Sequence, residues 1–129
     1  MTGTATDIVN RFYAAYGAGD YEQVAELLAP DIEWTMPSSV PYGGRFVGPD
    51  GVRAYLDQLS NYVEKGSLED MEMYDSGDHL VVTGTWRSRG KSGGEFETRF
   101  ANVFAIQDGR IASLRGSHDT ATVLQALNR

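Results

Sequence analysis

Three observations predict an α+β fold in which helices cover one face of a curved, mostly antiparallel sheet. Helical periodicity dominates the first half of the chain, strand alternation takes over in the second, and short turn-forming segments join the strands. Asp75-Ser-Gly-Asp78, Gly90-Lys-Ser-Gly-Gly94 and Gln107-Asp-Gly109 supply the turns, and the last two are short enough to make antiparallel hairpins. A strongly twisted sheet covered by helices encloses a cone-shaped cavity between the layers.

Residues 1–5 are small and polar and read as a flexible tail. Thr6 or Asp7 supplies an N-cap for a first helix whose apolar stripe is Ile8, Phe12 and Ala15/Tyr16. Gly17-Ala-Gly19 stops it, because glycine accepts the left-handed cap conformation. Asp20 and Gln23 form a capping-box pattern for a second helix that buries Tyr21, Val24, Leu27 and Leu28 and ends at Pro30. Asp31 to Met36 alternates as a half-buried strand with Ile32, Trp34 and Met36 on one side. Residues 37–48 hold enough Pro and Gly to read as a loop. Pro49-Asp50 opens a third helix with Val52, Tyr55/Leu56, Leu59 and Val63 at helical spacing, and Gly66 closes it. Four extended runs follow, at 68–74, 80–89, 95–106 and 110–117, and Thr120 to Leu127 reads as a short terminal helix or tail. There is no repeat, linker or low-complexity segment, so residues 1–129 are expected to form one domain.

Composition narrows the function. The hydrophobic fraction of 41% and charged fraction of 22% are those of an ordinary globular domain, and no apolar run reaches membrane-spanning length. No secretory leader is evident at the N-terminus, so a cytoplasmic protein is expected. Cysteine is absent, which removes disulfides, thiolate metal sites and cysteine nucleophiles. A net charge of −7 with no Lys/Arg cluster disfavours nucleic acid and anionic membranes. Seven Tyr, two Trp and five Phe point instead to a surface that is part apolar and part polar, such as a ligand pocket or an oligomer interface.

Strand parity selects the candidate residues. In Thr98 to Ile106 the even positions Phe100, Asn102, Phe104 and Ile106 form the interior face, with Asn102 the polar exception. A buried amide left unpaired costs on the order of 1–3 kcal/mol, so Asn102 bonds either a neighbour or a ligand. In the last strand Leu114, Gly116 and His118 share the inner face, where Gly116 leaves room. His118 is then either a satisfied structural histidine or a functional one at a strand end. Asp119 has the opposite parity, so strict alternation turns it outward, and only a bulge or the strand ending there aims it inward; its place before Thr120-Ala-Thr122 also suits an N-cap of the last helix. Aimed inward, a carboxylate beside an imidazole in an apolar cavity suits proton transfer. Phe12, Tyr16, Trp34, Met36, Tyr55 and Trp86 are candidate walls, and Tyr42, between Pro41 and Gly43, is a candidate lid. The sequence holds no Gly-x-Ser-x-Gly elbow, P-loop or paired-histidine metal motif.

Tyr13-Ala-Ala-Tyr-Gly-Ala-Gly-Asp20, Leu27-Leu-Ala-Pro-Asp-Ile-Glu-Trp34, Phe46-Val-Gly-Pro-Asp-Gly-Val52, Asp108-Gly-Arg-Ile111 and the His118-Asp119 end together resemble the SnoaL-like polyketide cyclases of the nuclear transport factor 2-like superfamily. The resemblance implies a cone-shaped α+β barrel (the SnoaL-like or cystatin-like fold) and a homodimer formed through the outer sheet face. It also implies cofactor-free acid/base chemistry, aldol cyclisation or isomerisation, on a hydrophobic carbonyl compound. Asp119 resembles the family's general acid/base at the end of the last strand, with His118 and Asn102 placed to hydrogen-bond an enolate oxygen. Ketosteroid isomerases of the same fold carry a tyrosine and two acids where Phe12, Met36 and Asn102 stand here, which argues against that activity. The alternatives are a non-catalytic hydrophobic ligand-binding or dimerisation module and, more remotely, an epoxide hydrolase. The position of the Asp119 carboxylate separates catalysis from binding.

Overall fold

A computed structural model describes residues 4–128 of the chain. In chain order the elements are α1 (Ala5–Ala18), α2 (Tyr21–Leu27), β1 (Leu28–Met36), β2 (Gly44–Val47), α3 (Gly48–Tyr62), β3 (Ser67–Asp75), β4 (His79–Arg89), β5 (Glu95–Gln107), β6 (Arg110–His118) and α4 (Thr120–Leu127). The strands form one sheet in the order β2-β1-β6-β5-β4-β3, antiparallel throughout except for the parallel pairing of β1 with β6. The order runs from one edge to the other, so the cone is open along one side. Helix α1 nonetheless touches both β3, at the edge, and β6, three places away. Only a sheet curled around the helix brings those strands to it.

Local chemistry sets the helix boundaries. Thr4, not Thr6 or Asp7, caps α1: its hydroxyl accepts from Asp7 N at 3.1 Å, while the Asp7 carboxylate accepts from Thr4 N at 3.4 Å. This reciprocal box places Asp7 at the third helical position and draws Thr4 and Ala5 out of the expected tail. Residues 1–3 of that tail lie outside the described residues. Gly19 closes α1 at φ 71°, and Asp20 caps α2 through a single bond from Gln23 N at 3.2 Å rather than a full box. Helix α3 begins with Pro49 in its first turn and ends at Tyr62, short of the Gly66 stop. Val63 leaves the helix to bridge Gly90, and Glu64 N then donates to Arg89 O at 2.8 Å. Gly66 serves another purpose, because a Cβ there would lie 2.1 Å from Arg87 O.

One expected loop contains a strand. Residues 44–47, downstream of both loop prolines, pair with β1 in the register Glu33↔Val47 to Met36↔Gly44. Composition marked 37–48 as irregular, but the four residues that pair contain no proline and keep their ladder donors. The core lies between sheet and helices, with Phe12, Ile32, Leu80, Val82, Phe104, Ile111, Leu114 and Val123 each no more than 2% exposed. No helix among the described residues is long and apolar enough to cross a membrane.

Candidate functional site

Alternation along three strands and two helical stripes builds one aromatic chamber. Strand β1 turns Trp34 and Met36 into it, β5 contributes Phe100 and Asn102, and β6 contributes Leu114. Helix α1 lays Phe12, Tyr13 and Tyr16 across the top, and α3 adds Tyr55 and Leu59. Leu68 of β3 and Trp86 of β4 complete the wall around a cavity of about 90 Å³. A wider mouth of about 460 Å³ adjoins it and shares Tyr13, Tyr16, Leu59, Leu68 and Trp86. At the rim Lys65 Nζ donates to Gly17 O at 2.7 Å, tying the end of α1 to the segment after α3.

The rings are interlocked. Phe12 meets Trp34, Tyr13, Tyr16 and Phe104 at centroid distances of 5.2–6.0 Å, and Trp34 meets Tyr55 at 5.3 Å. Such contacts favour a rigid wall over a collapsible one.

The inner chamber is polar only through neutral groups. Asn102 Nδ2 donates to the Tyr13 hydroxyl oxygen at 2.9 Å, leaving the Tyr13 proton free to donate onward. Burial raises the Tyr13 phenol well above its ordinary pKa, opposed in part by the Asn102 bond. Burial likewise pushes Tyr16 up to about 12 and raises Tyr55 well above its usual value, so all three phenols stay protonated at neutral pH. No Asp, Glu, His, Lys or Arg is among the residues of the inner wall. No cluster of His, Asp and Glu suited to a metal ion occurs among the described residues.

His118 and Asp119 lie elsewhere. His118 is half-buried, and its Nε2 lies 2.9 Å from the Tyr42 hydroxyl. The two rings stack with 10° between their planes. Trp86 meets His118 edge-on at 5.5 Å and is the ring that reaches the chamber, whereas His118 lines neither the chamber nor its mouth. Burial holds the His118 pKa below its usual value, against a smaller upward pull from Asp119. Tyr42 is 1% exposed, so the expected lid is a core residue clamped by His118, Trp86 and Tyr55.

Asp119 is exposed, and its carboxylate accepts from Thr122 N at 3.2 Å and from the Thr122 hydroxyl at 2.8 Å. These bonds cap α4 and hold the carboxyl below the usual carboxylate range. Of the two placements open to it, the Asp119 carboxylate takes the helix cap, beside the Tyr42–His118 pair. The cap won because no bulge reverses strand parity at the end of β6, and Thr122 offers two donors at the right spacing. Of the proposed enolate-binding pair, Asn102 alone faces the chamber.

Phe12, Tyr16, Trp34, Met36, Tyr55, Trp86, Phe100 and Asn102 are thus brought together around one cavity. Tyr13, the partner of Asn102, escaped sequence reasoning. Its signal was a second stripe on α1, Val9-Tyr13-Tyr16, spaced at i, i+4 and i+7 beside the first.

Comparison with known proteins agrees with this architecture. A family profile described as a SnoaL-like domain matches residues 9–114, a span that stops short of His118 and Asp119. An uncharacterised Mycobacterium tuberculosis protein is 28% identical over 109 residues, covering 84% of this chain and 83% of its own. The crystal structure of an NTF2-like protein from Burkholderia xenovorans LB400 superposes with a TM-score of 0.89 at 31% identity, covering 99% of this chain and 98% of that one. TerC co-crystallised with polyporic acid shares the fold, with a TM-score of 0.88 at 22% identity over 96% of this chain and 98% of its own.

Proposed function

Because the chain belongs to the SnoaL-like domain family and an aromatic chamber lies between its helices and sheet, we propose that it binds a neutral, largely apolar small molecule bearing a carbonyl group. One observation carries this reading: the inner chamber is walled by aromatic and aliphatic side chains and offers only uncharged hydrogen-bonding groups, with the Tyr13 hydroxyl oriented by Asn102. A charged ligand would lose its hydration with no counter-ion to receive it. A neutral carbonyl accepts from Tyr13 while its carbon skeleton fills the rest. TerC, a chain of the same fold, co-crystallised with polyporic acid, which supports a small organic ligand for this fold and does not bear on its charge.

The same geometry weighs against a cyclisation or isomerisation run through Asp119. Its carboxylate would have to leave both Thr122 donors and pass into an apolar wall. Epoxide opening through a carboxylate or an imidazole finds neither group on the inner wall. Binding without turnover is the better-supported activity.

The test is calorimetric titration of the protein with neutral aromatic ketones, beginning with 1-tetralone, read alongside quenching of tryptophan fluorescence. Saturable one-site binding that weakens in Asn102→Leu is expected, with the ketone recovered unchanged. Failure of every ketone to bind, or its conversion to product, overturns the reading.

A further inference from the structure

The indole N–H of Trp34 is a buried side-chain donor without a hydrogen-bond partner among the described residues. Trp34 is 3% exposed, and its ring lines the inner chamber between Phe12 and Tyr55. Buried donors are ordinarily satisfied, because the group gives up its bond to water on folding and gains nothing in return. The surroundings explain why the protein does not satisfy it. Cross-strand neighbours Phe46 and Leu114 are apolar, and so is Met36, two residues along on the same face. Replacing Trp34 by Phe would remove the orphan donor together with part of the buried ring volume.

Resting on the ligand-binding reading above, we propose that Trp34 is a specificity-determining donor, and that the ligand's acceptor oxygen completes its bond in the occupied chamber. The ligand class is thereby narrowed to molecules presenting an sp² oxygen at the β1 wall, such as an aryl ketone or quinone. A hydrocarbon of the same shape leaves the donor orphaned. The Met36 thioether is the flexible neighbour, with rotatable bonds enough to yield to an incoming oxygen. A site whose buried polar group is paired only by the right ligand rejects the analogue lacking the acceptor more strongly than size selection alone allows.

The experiment compares 1-tetralone with tetralin, the same bicycle without its carbonyl. Two readouts apply: affinity, and the indole ¹H–¹⁵N signals of Trp34 and Trp86, assigned with Trp34→Phe. The expected result is that tetralone moves the Trp34 indole proton downfield and tetralin does not. In Trp34→Phe the ketone-to-hydrocarbon affinity ratio should fall by roughly tenfold. Tyr13→Phe apportions the acceptor between the two donors. If both compounds bind but the Trp34 proton stays in place, or the ratio survives in Trp34→Phe and collapses in Tyr13→Phe, the inference is wrong while the binding reading stands. If neither compound binds, the binding reading fails and this one falls with it.

Discussion

The Tyr42 hydroxyl and His118 Nε2, 76 residues apart, meet at 2.9 Å with their rings stacked. This contact pins the β1–β2 connection, which carries Pro37 and Pro41, to the end of β6. Tyr42→Phe removes the bond, and a net loss of about 1 kcal/mol is expected in denaturant unfolding. A change within error would show that ring packing alone holds the loop.

The same pair makes stability depend on pH. Burial lowers the His118 pKa, so as pH falls through the ordinary histidine range, about 6.5, the unfolded chain takes up a proton that the folded chain resists. Stability is therefore independent of His118 above that range, declines as pH falls below it, and levels once folded His118 is also protonated. Unfolding free energies between pH 7.5 and 5.5 should slope downward for the wild type and more shallowly for His118→Phe. Equal slopes would locate the pH dependence in other groups.

Asp119 is predicted to matter for stability and not for the chamber. Asp119→Ala removes both bonds from Thr122 and should lower the melting temperature. Asp119→Asn, still a competent N-cap, should recover most of the loss. Neither change should alter ketone affinity. A substitution that left melting untouched but abolished binding or turnover would return the carboxylate to the site.

Strand parity made much of the chamber legible. It placed Phe100, Asn102 and Leu114 inside, and it also turned Asp119 outward, where the structure puts it. Family resemblance drew Asp119 inward, and a local contest between capping and strand geometry went the other way. Other features lie beyond pattern. The parallel pairing of β1 with β6 joins Trp34 to Leu114 across 80 positions, and periodicity says nothing about partners so distant. Tyr42 sits among turn formers, which describe its backbone and not the ring's burial. The orphan N–H of Trp34 follows from what surrounds it, and alternation reports only which face it is on.

Asn102 and Tyr13 should behave as one unit. Asn102→Leu deprives the Tyr13 oxygen of its donor, and Tyr13→Phe deprives Asn102 of its acceptor. Each single change should weaken ketone binding, and the double mutant should be little worse than either. A double-mutant cycle in ketone affinity is expected to give a coupling of about 1 kcal/mol. Strict additivity would mean that the two groups contact the ligand independently.

Gly116 and Met36 set how deep the chamber runs. A Cβ at Gly116 would stand 2.6 Å from Met36 Sδ, 2.8 Å from Met36 Cε and 2.9 Å from Asn102 Oδ1. Gly116→Ala must push the Met36 side chain aside, and the adjacent open volume is the chamber that Met36 itself lines. Overpacking of this kind costs about 1–3 kcal/mol, so the variant should melt earlier and bind 1-tetralone more weakly. Adding Met36→Ala removes the sulfur and methyl that the new Cβ strikes. The double variant should therefore regain ketone affinity even if its stability stays below that of the wild type, because shortening Met36 also removes buried surface. Calorimetric titration of the three proteins separates the effects. If Met36→Ala fails to restore binding to Gly116→Ala, the damage runs through the displaced Asn102 amide and its bond to Tyr13, not through lost volume.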